Sequence, residues 1–285
     1  MSSIESPALS VVIPVLNEEA LLRANLEELA FHFDAIVGRG RWQFVLVDNG
    51  STDRTPRIIK EILAENPGSK SVHLPGPNYG AALRAGFKNA EADFVYNCDL
   101  EQWDIPFLAW AWNARDQHDL FIGSKRADPT ICRQSGLRYF LSWGLNTLIQ
   151  HQFAFMGTDT HGPKLVNLRR LKPLIESCIS DRGMFDTEIV LRALRQGFRL
   201  AEAPIAFEEH RPPRNNIVKK VVWNVFALYR LRERMKAIPY RGPVEFRRFA
   251  RSDVLSVYEG LQKTRAAGGA AGAQPPSRQA VPGTP

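Results

Sequence analysis

Four apolar, β-branched runs recur within the first hundred residues, and each breaks into a polar turn followed by a helical pattern. Leu9-Ser10-Val11-Val12-Ile13-Pro14-Val15 reads as a strand, and Asn17-Glu18-Glu19 opens a helix with Leu22, Leu26, Leu29 and Phe33 at helical spacing. Phe44-Val45-Leu46-Val47-Asp48 is a second strand, and the turn residues Asn49-Gly50-Ser51-Thr52-Asp53 lead into a helix around Ile58 to Leu63. Ser71 to Leu74, a PGPNYG turn and a helix from about Ala81 to Ala90 make the third unit, and Phe94-Val95-Tyr96-Asn97 is the fourth strand. Parallel strands are joined by long crossovers rather than hairpins. The alternation therefore predicts an α/β fold, a mostly parallel sheet with helices on both faces.

Helices are expected from Ile105 to Arg115, Gln134 to Gln152 and Phe185 to Arg195, with strands at Leu120 to Gly123 and Phe198 to Phe207. Trp103, Trp110 and Trp112 are core residues or an aromatic sugar platform, and aromatics near helices are far more often core. At 285 residues and 44% hydrophobic the chain is long enough for one substantial core and a small appendage. Cys98, Cys132 and Cys178 lie far apart without a CxxC pair, which argues against a disulfide framework or a structural zinc and for a reducing compartment. The N-terminus does not read as a signal peptide, and the uncharged segment from Tyr139 to Gly157 carries too many polar residues to be a membrane span.

The formal charge of +7 gathers late in the chain. From Ile217 to Ile238, apolar Val218, Val221, Val222, Val225, Phe226 and Tyr229 precede Arg230, Arg232, Arg234 and Lys236. That pattern suits a helix lying in the headgroup region of an anionic membrane, or equally a helix docked on its own domain with a solvated basic end. The basic residues are not interleaved along a nucleic-acid-binding motif, so no nucleic-acid partner is expected. Residues beyond Lys263 are dominated by Ala, Gly, Pro, Gln and Ser, a composition expected to stay disordered. The expected organisation is a catalytic domain over residues 1–212, a basic amphipathic helical extension over 213–262 and a disordered tail over 263–285.

In open α/β sheets ligands collect beyond the carboxyl ends of the strands. Pro14, Asn17 and Glu18 follow the first strand, Asp48 ends the second, Asn78 to Gly80 follow the third, and Asn97, Asp99 and Glu101 end the fourth. Such a rim suits a nucleotide, and Asp99 and Glu101 with Asn97 suit a hard divalent cation; the plain alternative for the octet is a solvated acidic turn. No GxGxxG or GxxxxGK[ST] follows a strand, so the cation must carry more of the diphosphate neutralisation.

The segments VVIPVLNEE, VLVDNGSTDRT, PNYGAALRAGFKNA and FVYNCDLEQWDIP, in this order, resemble family 2 glycosyltransferases of the GT-A fold, and among them the dolichyl- and polyprenyl-phosphate sugar transferases. The resemblance covers roughly residues 9 to 210 and continues through IGSKR, DTHGPKLVNLRR and MFDTEIVLRALRQGFRLAEAPIAF. It implies that Pro14, Asn17, Glu18, Asp48, Gly80, Arg84 and Asn97 serve the nucleotide, with Asp99 and Glu101 on Mg²⁺ or Mn²⁺. It implies further that Lys125, Arg126, Arg138 and Arg211 meet an acceptor or donor phosphate, and that Asp186 and Glu188 line the acceptor side. Either carboxylate would act as base toward an alcohol, or simply cap its helix. Two departures stand out: Asn97-Cys98-Asp99 where relatives commonly read DxD, and Asp48-Asn49-Gly50-Ser51 where they often read DDGS.

The expected function is an inverting, metal-dependent transferase moving a sugar from a nucleotide-sugar donor to a polyprenyl phosphate. Its expected place is the cytoplasm or, as a peripheral protein, the inner face of the plasma membrane. The alternatives are a soluble transferase acting on a saccharide or small molecule, and a subunit that binds nucleotide sugar without turning it over.

Overall fold

A computed structural model describes residues 6–133, 136–208 and 217–267. The chain alternates strand and helix as β1 (Leu9–Val15), α1 (Leu22–Ile36), β2 (Trp42–Asp48), α2 (Thr55–Glu65), β3 (Lys70–His73), α3 (Tyr79–Asn89), β4 (Phe94–Asn97) and α4 (Ile105–Asn113). It continues through β5 (Leu120–Ser124), β6 (Cys132–Arg133), α5 (Gly136–Phe153), β7 (Lys164–Asn167), α6 (Leu168–Glu176), α7 (Met184–Arg195), β8 (Arg199–Pro204) and β9 (Phe207–Glu208). The last elements are α8 (Ile217–Met235), β10 (Glu245–Arg248) and α9 (Arg251–Ala267). Eight strands form one sheet in the order β10-β8-β5-β7-β4-β1-β2-β3, and β6 pairs with β9 beside it. All neighbours in the large sheet run parallel except β7, which is antiparallel to both β4 and β5.

The two-residue period of the strands sorts the core into two layers. Val11, Ile13 and Val15 of β1, Phe44 and Leu46 of β2 and Tyr96 of β4 pack with α1, α2, α4 and Val254 of α9. Val12, Val45 and Val95 point the other way, into α3, α6, α7 and α8. Phe33 is fully buried beneath Trp42, Phe44 and Tyr96. Short polar side chains start several helices. Asn78 accepts from Ala81 N–H at 3.1 Å, Asp104 from Phe107 N–H at 2.8 Å and Asn167 from Arg170 N–H at 3.2 Å.

β6, β7, α6 and β10 are additions to the expected elements, and α9 falls largely within the helical extension expected over 213–262. β7 is a short run, KLVN, for which the sequence pattern predicts no element; β4 and β5 flank it on either side. β10 lies within the segment expected to be a helical extension and joins the sheet edge parallel to β8. α9 carries helix to Ala267, five residues into the stretch read as a tail; residues 268–285 lie outside the described ones. Trp103, Trp110 and Trp112 are all core, which removes the sugar-platform reading.

Candidate active site

β1 and β2 end side by side, with Val15 opposite Asp48. The loops beyond them are stitched together: Asn17 N–H donates to Ser51 Oγ at 3.0 Å, Thr52 N–H to Asn17 Oδ1 at 2.8 Å, and Glu18 N–H to Thr55 Oγ1 at 2.8 Å. Asn17 sits at a left-handed φ of 53°, which asparagine tolerates better than most residues. Asp48 is buried, accepts from Ser51 N–H at 2.9 Å through Oδ1, and stands 2.7 Å from His73 Nδ1 through Oδ2. Asn49 Oδ1 accepts the Asn78 N–H at 2.7 Å and so ties this corner to the start of α3. Pro14, Asn17, Glu18 and Asp48 are thus brought to one corner of the rim.

The end of β4 opens into a narrow cavity lined by Tyr79, Asn97, Asp99, Gln102, His161 and Gly162. Tyr79 Oη donates to Asp99 Oδ1 at 2.8 Å, and burial together with the Asp99 charge holds the phenol well above its usual pKa. Asn97 is 2% exposed, and its Oδ1 has no hydrogen-bond partner among the described residues. Leaving a buried acceptor unpaired costs about 1–3 kcal/mol. An amide oxygen orphaned beside a carboxylate supplies two oxygens of the kind Mg²⁺ or Mn²⁺ takes. No group of three or more His, Cys, Asp or Glu among the described residues forms a metal cluster, so the fit rests on that mixed oxygen pair. Glu101, expected beside Asp99 as a ligand, does not line the cavity. Asp99 and Gln102 form an isolated bridge that turns the chain, and Gln102 takes the position.

The opposite wall comes from the segment before β7. His161 Nε2 lies 2.9 Å from the Gly183 carbonyl, which can only accept, so Nε2 carries the proton and Nδ1 accepts from the Thr160 hydroxyl at 3.1 Å. Burial lowers the His161 pKa, which keeps the ring neutral. Lys125 Nζ donates to Gln102 Oε1 at 3.1 Å and lies 4.9 Å from the Phe207 ring centroid, so it stands beside a residue that lines the cavity. Asp159 accepts from His161 N–H at 2.9 Å and from Lys125 N–H at 3.4 Å. Burial pushes the Asp159 pKa upward, but the Lys125 charge and the His161 N–H hydrogen bond, among others, outweigh it and leave it lowered. Glu202 on β8 fixes this segment by accepting from Thr158 N–H at 2.7 Å and Asp159 N–H at 3.2 Å. Neither His161 nor Glu202 was singled out from the sequence; the DTHGP run before β7 was the available signal for the first.

Several expected site residues have other work. Glu188 accepts from Ile179 and Ser180 N–H at 3.0 and 2.6 Å and pairs with Arg192 at 2.6 Å, so it is a structural residue of α7 and not a base. Asp186 pairs with Lys164 at 2.8 Å, both side chains at most 1% exposed, while its Oδ2 has no partner among the described residues. Arg84 donates to the Ser180 carbonyl at 2.7 Å and lies 5.3 Å from the Phe185 ring centroid, so it holds the loop before α7 instead of reaching for a diphosphate. Gly80 lets α3 pass close to that loop: a Cβ there would meet the Arg182 backbone. Arg126 follows β5, with its N–H on Ser124 Oγ at 3.1 Å. Arg138 lies in α5, its side chain outside the described atoms, and Arg211 lies outside the described residues.

Residues 10–106 match the family model described as Glycosyl transferase family 2. A dolichyl-phosphate beta-glucosyltransferase of Trichomonas vaginalis is 26% identical over 212 residues, 70% of this chain and 66% of that protein. An undecaprenyl-phosphate 4-deoxy-4-formamido-L-arabinose transferase of Edwardsiella ictaluri is 36% identical over 148 residues, 50% of this chain and 43% of that protein. The chain therefore spans less than two thirds of the length of these relatives. A mannosyltransferase of Pyrobaculum calidifontis, solved with GDP-Man and Mn²⁺, shares the fold at a TM-score of 0.53 and 18% identity, over 95% of this chain and 77% of that one. With the strand-end motifs in order, residues 10–106 are similar to the family 2 glycosyltransferases, and the sheet shares the fold of the solved mannosyltransferase.

Proposed function

We propose that the protein transfers one sugar from a nucleotide-sugar donor to a polyprenyl phosphate at a membrane surface, with inversion and with a divalent cation. The observation that carries this reading is the orphaned Asn97 Oδ1 beside Asp99 at the end of β4, on the rim where a donor diphosphate would lie. Asn97 and Asp99, with Gln102 nearby, would hold Mg²⁺ or Mn²⁺, which when bound neutralises charge developing on the departing diphosphate. Asn17, Glu18 and Asp48 would orient the nucleoside at the adjoining corner, and Tyr79 holds Asp99 in place between turnovers.

The acceptor class is supported by the two relatives named for dolichyl and undecaprenyl phosphate and by the protonation of the cavity. His161 presents a nitrogen that already carries a proton, and Glu188 is fully engaged. An acceptor that arrives as a phosphate anion needs no strong base. Lys125 would position its charge opposite the leaving group. The unpartnered Asp186 Oδ2 favours a second reading, in which an alcohol acceptor loses its proton to that oxygen.

The test is a transfer assay with UDP-, GDP- and dTDP-sugars, Mg²⁺ or Mn²⁺, and a short polyprenyl phosphate, with products read by mass spectrometry. A glycosyl phospholipid abolished by chelator and by Asp99→Ala supports the proposal. Transfer only to alcohols, lost in Asp186→Asn, establishes the second reading instead. Donor binding without transfer to any acceptor overturns both.

A further inference from the structure

The large apolar side chains exposed on this protein are unevenly spread. On α5, Phe140 and Trp143 are 62% and 47% exposed and stack at 5.9 Å. On α8, which packs against α5, Val225, Phe226 and Tyr229 are 44%, 69% and 57% exposed. The opposite side of α8 is spent on the core, where Leu228, Leu231 and Met235 are buried. The α5 set lies in the first half of its helix and the α8 set around the middle of its own. The C-terminal halves instead meet around a cavity of about 160 Å³ lined by Arg195, Arg232 and Lys236 among apolar residues.

The apolar end is also the catalytic end. The Arg182 guanidinium lies 5.1 Å from the Trp223 ring centroid on α8, and the Arg182 N–H donates to Asn78 Oδ1 at 3.0 Å. Asn78 precedes Tyr79, whose hydroxyl holds Asp99. One loop residue therefore separates the aromatic face from the rim of the cavity.

We propose that Phe140 and Trp143 of α5 with Val225, Phe226 and Tyr229 of α8 form a single docking face for an anionic lipid bilayer, which presents the Asp99 cavity to the headgroup layer. The inference rests on the lipid-acceptor reading above and assigns its membrane partner to named residues. Two observations choose a bilayer as the occupant. Phe, Trp and Tyr beside basic residues are the side chains that settle at a membrane interface, and Arg230 and Arg232 follow directly on α8, both exposed. No helix among the described residues is long and apolar enough to cross a membrane, so the face lies on the lipid.

Co-sedimentation of the full chain with vesicles tests the proposal, using phosphatidylcholine alone and phosphatidylcholine with phosphatidylglycerol. The wild type is expected to partition onto the anionic vesicles. The double variant Phe140→Ser/Phe226→Ser should lower the partition coefficient by about tenfold or more, since each exposed ring carries its own transfer free energy. Circular dichroism checks that the variant is folded, and Glu27→Gln, on the exposed side of α1, should partition like the wild type. Unchanged partitioning of the double variant overturns the proposal. So does a wild-type dimer in sedimentation velocity that the same substitutions dissolve without any change in vesicle binding. A short, water-soluble isoprenoid phosphate separates this inference from the function on which it rests. Vesicle binding without transfer to any acceptor refutes the lipid-acceptor reading alone, and transfer without vesicle binding refutes the docking face alone.

Discussion

The two sides of the proposed site are built from different materials. At the corner proposed for the nucleoside, turn residues after β1 and β2 exchange hydrogen bonds largely through neutral side chains around the Asp48 carboxylate, as in Asn17 with Ser51 and Thr52. The wall proposed for the acceptor is held by buried charge, as in Lys164 with Asp186 and Glu202 with the Thr158 and Asp159 amides. A corner made of turns tolerates adjustment to its ligand. A wall made of buried charge keeps one geometry or loses it, because removing one partner strands the other in a low-dielectric interior.

Substitutions can break this contrast at several points. The largest effect is expected at Asp99, where the walls meet. Asp99→Ala should reduce transfer about 10²–10³-fold while leaving the melting temperature near that of the wild type. On the acceptor wall, Lys164→Met should cost about 3–5 kcal/mol of stability by denaturant titration, and adding Asp186→Leu should restore much of it. If the single variant is as stable as the wild type, the wall is not held as described.

Gly80→Ala comes next, because its Cβ would meet the Arg182 backbone and force α3 away from the loop before α7. About 1–3 kcal/mol is expected, with a fall in transfer. Gly144→Ala in α5, where a Cβ meets nothing within 4 Å, should instead be neutral or stabilising.

Asp119, just before β5 and at the end of the strand away from Lys125, adds a pH signature outside the site. Burial pushes its pKa up, but hydrogen bonds from Arg199 and the charges of Arg199 and Arg170 leave it below the ordinary 3.8. The folded protein therefore holds this proton less tightly than the unfolded chain. The stabilisation is present above pH 3.8 and is lost as pH falls through the lowered folded value. Asp119→Asn should destabilise at pH 7, and the gap to the wild type should close in acid. The smallest effect is expected at the nucleoside corner: His73→Ala removes one partner of Asp48 and should weaken nucleotide binding only a few-fold by calorimetry, about 1 kcal/mol.

The same contrast decides what could be read from the sequence. The nucleoside corner was legible because its partners lie in compact motifs, and Pro14, Asn17, Glu18 and Asp48 do converge. The strands and helices up to α4 were legible because their apolar periods are unbroken. Glu188 was misread because an acidic residue in the first turns of a helix looks the same whether it faces a ligand or Arg192 four residues on. Arg84 was misread because its partner, the Ser180 carbonyl, lies 96 residues away. β7 and β10 are four residues each and carry charged side chains, so only the strands beside them identify them.

β10 also guards the fold against aggregation. It occupies one edge of the sheet with Glu245, Arg247 and Arg248, side chains that discourage another chain from adding a strand. Beneath it β8 runs through buried Leu200, Ala201 and Ala203, an apolar ladder whose outer hydrogen-bonding groups β10 satisfies. A chain cut before Glu245 would keep every residue of the catalytic rim described above and expose that ladder. Its failure would appear as precipitation during expression rather than as lost chemistry.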